Sequence, residues 1–586
     1  MDVDRNRRWA VPASLFAATQ ALYLATLHRG LPPLDSSELI AAALVKGIPH
    51  PPGYPLYTML GILFSRLPFG APEARINYVS AFCAGVAVVA TYFACLEAAA
   101  GIAASVLAAS MLAVGCVFWR YSLVAEVLTL HCAIVAGLLL LAFRYRRRRD
   151  PRLVVGGALL FGLGISHLHT IVLIGPPLAL MVGDRSLLRR PPSFWFAVAG
   201  AFALGLLPYA YLPWAAAHHP PLNTGDPSTW TRFVDVFLRR AYGTAALATS
   251  TVAGDRWGNM SWHVGRFGRT LLADEGVLGV AAALLGVQRL WRADRRMLSA
   301  LLLYLVLNLP FFLWLANAPS TPFFAWVIQG QFGGPLIVLT VCTAAGMTAV
   351  LERLDVVLGA PARARAIVAL LPLSMLAANY RLEDRSRARS VERMGRLLLD
   401  SVEPGAVVVS CTDTMIFALT ELHDARGLRP DVVLTTFGVD EALAKKVRRE
   451  LPDLDLPEGS GRAFTMELIR RADGKRPVYF TFAGNCGGID VLGDVRGHLV
   501  PSGLVYRWLA VPWTRLVVQI LERGGGFLAT QPDMAQASVG AENDAGVQEV
   551  VRTYADAYGN IGLMLGLIGR KAEAGRFLAV RERMLR

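Results

Sequence analysis

Long apolar runs broken by short arginine clusters recur over residues 1–380, and this pattern limits the fold more than any other feature. The runs lie at 10–27, 79–99, 102–118, 123–143, 153–166, 168–183, 193–213, 274–289, 298–316, 331–351 and 364–379. Each approaches the ~20 residues that cross a bilayer as a helix. With 54% hydrophobic and 17% charged residues, the chain reads as a polytopic α-helical membrane protein of about 11 spans. The opening MDVDRNRR and the run after it resemble a signal peptide. That run is long for one and shows no small-residue cleavage site, so a retained first span is expected.

The net charge of +14 could suggest nucleic acid, but the arginines sit in connections, as orientation signals do, and no nucleic-acid partner is expected. With the N-terminus cytoplasmic, the inner loops carry Arg144/Arg146/Arg147/Arg148/Arg149/Arg152, then Arg185/Arg189/Arg190, Arg289/Arg292/Arg295/Arg296 and Arg353/Arg363/Arg365. The short outer connections carry almost no basic residue besides Arg120. This alternation puts two long segments, 28–78 and 214–273, outside, together with everything after about residue 380. The Arg/Ala-rich composition suggests a bacterial inner membrane with a periplasmic or extracellular C-terminal part.

Five of the seven cysteines lie in apolar runs; Cys411 and Cys486 lie in the polar C-terminal part, where they could pair if it is exported. That part changes character. An amphipathic helix at 387–402, strand 406–410, helix 415–426, strand 431–436, helix 441–450 and strand 477–482 set a strand–helix rhythm. Residues 381–545 are therefore expected to form an exported α/β domain. Tyr554, Gly559, Leu563, Gly569, Ala572, Ala574 and Phe577 in 546–586 resemble one tetratricopeptide-like helical hairpin.

The first outer segment holds the most pointed chemistry. Asp35-Ser36-Ser37-Glu38 opens an apolar helical stretch. Asp at an N-cap with Glu three residues on is a capping box. A carboxylate at a helix start also suits a proton acceptor, because the local positive potential keeps it ionised and attracts phosphate. The turn His50-Pro51-Pro52-Gly53-Tyr54-Pro55 ends that stretch and holds His50 and Tyr54 in place, with Gly53 free to take positive φ. Glu126 and His131 lie a few residues into their span, at a depth where ionisable groups usually face a wet cavity. Phe118-Trp119-Arg120-Tyr121 before them is expected to form an interfacial belt. His167, His169 and Tyr209 mark later outer connections, Asn223 and Asp226 a turn in the second outer segment, and Arg240 a cation for a phosphate. Taken together on one face, these residues imply a cleft open to lipid and water.

D-x-x-E-L-I, then HPPGYPLY and RINYVSA, is similar to the opening of a membrane family of formerly unknown function. Its vertebrate member is a protein O-mannosyltransferase of plexin and receptor-kinase ectodomains. FWRYSLVAEVLTL (118–130), GLGISHLHTIVL (162–173), LPYAYLPWAAAHHPPLNTGDPSTW (207–230), RPDVVLTTF (429–437) and VPSGLVYRWL (500–509) extend the likeness over most of the chain. The chain departs from the family with Ser37 where glycine is common and Leu128 where an aromatic is usual.

The resemblance implies a GT-C glycosyltransferase with a polyprenyl-phosphate sugar, mannose by family, as donor. Carried over by position, Asp35 is the catalytic base and Glu38 its neighbour. From their residue types and placement, His50, Tyr54, Glu126, His167, His169, Tyr209, Asn223, Asp226 and Arg240 are the candidates to line the substrates, and Arg240, His50 and the helix start at Ser36–Ser37 the candidates to stabilise the lipid phosphate. The acceptor is a protein, lipid or glycan hydroxyl, held by the exported region. No metal or other cofactor is required by these residue types. A transporter or flippase of a lipid-linked sugar is the chief rival, but such proteins place polar groups at the midplane of repeated halves, and no repeat is evident. A scaffold that recruits partners through its C-terminal helices would leave the acidic residues without a purpose.

Overall fold

The computed structural model describes residues 2–244, 255–482, 498–510, 515–531 and 545–585. The chain forms two compact units, each assembled from separated stretches. The first takes Met1–Arg29, Tyr54–Leu212 and Asp235–Arg387; the second takes Gly30–Gly53, Pro213–Val234 and Ala388–Arg586.

The first unit is helical. Seven described helices are long and apolar enough to cross a membrane: Pro72–Glu97, Leu128–Arg148, Pro192–Ala217, Arg256–Ala293, Arg295–Ala316, Pro322–Leu358 and Pro361–Glu383. Ile102–Val114 and Cys116–Ser122 meet at 63° and make an eighth if counted as one bent span. Asp2–Thr26 covers the expected first run, whereas 153–166 and 168–183 contain only shorter apolar helices, so this measure does not reach eleven. Arg256–Ala293 lies against Gly333–Leu358, and there a Cβ on Gly286 would strike the Cys342 carbonyl and one on Gly346 the Ala282 carbonyl. Small residues let two backbones touch where lipid supplies no hydrophobic drive to association.

The expected interfacial belt is corrected by burial. Phe118, Trp119 and Tyr121 are all buried, and Trp119 donates through Nε1 to Thr26 Oγ1 at 3.0 Å. Arg120 Nη2 reaches buried Glu383 Oε1 at 2.6 Å. The run turns inward because its arginine finds a carboxylate inside the unit.

The α/β part of the second unit follows the expected rhythm. Strands β1 (Val407–Ser410), β2 (Val433–Thr436), β3 (Val478–Phe480), β4 (Leu499–Ser502) and β5 (Val505–Trp508) form one sheet in the order β2-β1-β3-β5-β4. β1 runs parallel to both β2 and β3, and β5 pairs antiparallel with β3 and β4. β1 is the uninterrupted Val407-Val408-Val409 run that a strand covered on both faces requires. The core joins Val407, Val409 and Phe480 to Val447, Phe464 and Leu468 of the helices Glu441–Glu450 and Gly461–Ala472.

Asp440 caps the helix Glu441–Glu450 by accepting from Leu443 N at 2.8 Å. Neither Thr412 nor Asp413 caps the helix Asp413–Thr420 through its side chain. Ala545–Leu567 and Lys571–Leu585 pack together as a helical pair.

Candidate active site

The helix Asp35–Val45 starts from Leu34, whose φ of 58° turns the chain sharply into it. No side chain caps that start, so the capping-box reading is corrected. Ser37 Oγ donates to the Pro32 carbonyl, and Ser36 and Ser37 are both buried, which turns their hydroxyls into the fold. Glu38 spends its carboxylate elsewhere. Oε1 accepts from the His50 backbone N–H at 2.8 Å and Oε2 from the ring Nδ1 at 2.5 Å. A carboxylate only accepts, so His50 carries its proton on Nδ1.

His50 Nε2 lies 4.0 Å from Asp35 Oδ2. This is beyond hydrogen-bond reach but close enough for charge on the ring to steady the carboxylate. The Asp35 side chain is 48% exposed and that of Glu38 only 1%. The two acids therefore differ in kind: Asp35 can meet a substrate, while Glu38 grips the histidine. A cis Pro51–Pro52 bond follows His50, and Gly53 takes a φ of 85°. The carboxylate and imidazole ligand atoms of Asp35, Glu38 and His50 all lie within 4.8 Å of one another, a spacing one divalent cation would also fit.

The tail of this helix is anchored by the second outer segment. Ile48 N donates to Leu222 O at 2.8 Å and Thr224 N to Ile48 O at 3.1 Å. A Cβ at Gly47 would collide with the Leu222 carbonyl, so the approach needs glycine. Asn223 Nδ2 donates to Asp226 Oδ1 at 3.2 Å. Asp226 also pairs with Arg232 at 2.5 Å and Lys445 at 3.5 Å. Burial pushes the Asp226 carboxyl up, but bonds from Ser228 and Asn223 and the charges of Arg232 and Lys445 outweigh it and hold the pKa below the usual range. Asn223 and Asp226 thus tie a loop to the helix Glu441–Glu450. They border a cavity of about 730 Å³ that Ser410, Phe417, Thr435 and Lys445 also line.

Tyr54, Glu126, His167, His169, Tyr209 and Arg240 belong to the first unit. His167 Nε2 lies 2.6 Å from the Val127 carbonyl, and His169 Nε2 2.6 Å from the Tyr209 hydroxyl, which donates to Ile165 O at 2.9 Å. Glu126 is buried, with its backbone N–H on Ser80 Oγ at 3.0 Å. Arg240 is exposed and pairs with Asp235 at 2.6 Å. The structure thus brings Asp35, Glu38 and His50 together and joins His169 to Tyr209.

One group escaped the sequence reading. Asp413, exposed at the start of its helix, lies on the element against which the helix Asp35–Val45 packs. Crowding by surrounding protein, and then the Asp35 and Glu38 carboxylates, push its pKa up to about 6, while His50 pulls the other way. Its sequence signal was a polar turn leaving the first parallel strand, where α/β sheets place ligands. Cys411, two residues earlier, is disulfide-bonded; Cys486 lies outside the described residues.

Residues 35–186 match the family described as the Protein O-mannosyl-transferase TMEM260 N-terminal domain. The mouse Protein O-mannosyl-transferase TMEM260 is 30% identical over 465 residues, 76% of this chain and 65% of its own. The chain is similar to the TMEM260 family over most of its length. The Dictyostelium discoideum member is 25% identical over 470 residues, 71% of this chain and 56% of its own. The chain thus spans somewhat under two thirds of the length of these TMEM260 relatives.

Among solved structures, the GT-C glycosyltransferase ArnT from Cupriavidus metallidurans superposes in its apo state with a TM-score of 0.54 at 11% identity, over 81% of this chain and 93% of ArnT. ArnT bound to undecaprenyl phosphate gives 0.53 at 11% identity, over 80% and 92%. The chain is accordingly an integral membrane protein of GT-C fold. Both relatives are eukaryotic, so a bacterial membrane gains no support from them.

Proposed function

We propose that the protein transfers a sugar, mannose, from a polyprenyl-phosphate donor to a serine or threonine hydroxyl of a polypeptide at the outer face of a membrane. The observation that carries this reading is the Asp35–His50–Glu38 arrangement: a half-exposed carboxylate beside a histidine that a buried glutamate holds by two bonds. The acceptor oxygen attacks the anomeric carbon as the bond to the lipid phosphate breaks. The hydroxyl proton passes to Asp35, and the polyprenyl phosphate leaves with the electron pair. The names of the TMEM260 relatives support protein as acceptor, and ArnT bound to undecaprenyl phosphate supports a polyprenyl donor. The arginine alternation supports a cytoplasmic N-terminus and an outer second unit, and the Cys411 disulfide suits an oxidising compartment.

The deciding measurement is mannose transfer from labelled polyprenyl-phosphate mannose to a serine/threonine peptide by the purified protein in vesicles. Asp35→Asn should lower the rate by about 10²–10⁴ and leave the melting temperature unchanged. Wild-type transfer in that variant would remove Asp35 from the reaction. Donor translocation without any transfer by the wild type would favour the flippase reading instead.

A further inference from the structure

The α/β part of the second unit does more than accompany the acidic pair. In a parallel sheet, ligands gather outside the carboxyl ends of strands where successive connections leave in opposite directions. Here the order β2-β1-β3 puts that point between β1 and β3. Ser410 Oγ at the end of β1 and Thr481 Oγ1 just past β3 lie 3.2 Å apart and mark it. Asp413 stands three residues beyond Ser410 on the connection leaving β1.

Two features fix that connection. Cys411 is held by a disulfide, and buried Thr414 donates to Glu549 Oε2 at 2.6 Å. The helix Asp35–Val45 packs on Asp413–Thr420 and on the following turn Glu421–Ala425. The Asp413 residue is exposed, and the charges of Asp35, Glu38, His50 and Glu549 all act on its carboxyl. Among the described residues no hydrogen bond or ion pair engages it. A carboxylate pinned against other carboxylates and left unpaired is unfavourable to the fold by itself, and that is the mark of a group kept for a ligand. The same helix turns Ile416, Phe417 and Thr420 into the cavity of about 730 Å³, which offers room for the chain flanking an acceptor hydroxyl.

We propose that Asp413 is a catalytic residue that accepts a hydrogen bond from the acceptor polypeptide and holds its hydroxyl against Asp35. The inference rests on the transferase reading. Asp413 takes no proton in the step; it fixes the acceptor while Asp35 receives the proton.

The test uses the full chain in vesicles with polyprenyl-phosphate mannose and a serine/threonine peptide. Asp413→Ala should raise the acceptor KM about tenfold, the effect of one charge-assisted hydrogen bond. The donor KM should stay at its wild-type value and the melting temperature should not fall, and Asp413→Glu should recover part of the acceptor affinity. An unchanged acceptor KM, or a donor KM that rises in parallel with it, overturns the assignment. A wild-type protein that transfers no sugar to any peptide overturns the transferase reading itself, and the two failures are separate results.

Discussion

Glu38→Gln isolates the part of the site that does not touch substrate. The wild-type carboxylate accepts from the His50 backbone N–H at 2.8 Å and from the ring Nδ1–H at 2.5 Å. The glutamine keeps one oxygen and offers an NH₂ in place of the other. If the oxygen stays on the backbone, the NH₂ faces the Nδ1–H, donor against donor. The ring then loses a charge-assisted bond of about 1.5–3 kcal/mol and is free to change tautomer. If the whole of that loss is felt in the transition state, turnover falls roughly 10- to 150-fold, at 1.36 kcal/mol per decade.

The assay is mannose transfer at saturating donor and acceptor, with the melting temperature of each variant as control. Glu38 acts through His50, so Glu38→Gln combined with His50→Ala should be no slower than His50→Ala alone. Full additivity of the two, or wild-type turnover in Glu38→Gln, refutes the grip.

Glu383→Gln in the first unit breaks an ion pair whose carboxylate is fully buried and leaves the half-buried Arg120 without it, and should lower stability in detergent by about 3 kcal/mol, read as loss of folded protein on heating. Gly346→Val drives a side chain into the Ala282 carbonyl and should separate Arg256–Ala293 from Gly333–Leu358, seen as failure to purify as a monodisperse species. Asp413 gives a pH test. Its folded pKa, about 6, lies above its ordinary value of 3.8, so the folded state binds more proton between them. Stability from this group is complete below pH 3.8 and is lost as pH rises through 6. Asp413→Asn should flatten the fall in melting temperature over that window, and an unchanged slope would show that Asp413 feels no neighbouring charge.

The apolar runs and their arginine-marked ends needed no tertiary information, because a span is a local matter of length and composition. The same holds for Val407-Val408-Val409, Asp431–Thr436 and Glu441–Glu450, where strand and helix periods show in a few residues. The HPPGYP turn likewise announced a fixed His50. Local patterns could not say which partner a side chain would choose. Glu38 suited a helix cap by its spacing, yet it turned to a histidine twelve residues on. Phe118–Tyr121 suited an interface, yet it went inside because Arg120 met Glu383, 263 residues away. Asp413 lies 378 positions from Asp35 in number, and only the packing of Asp35–Val45 on Asp413–Thr420 brings their carboxylates to bear on each other. Burial, pairing and pKa depend on what surrounds a group in space, and that environment exists only once distant stretches have folded into one unit.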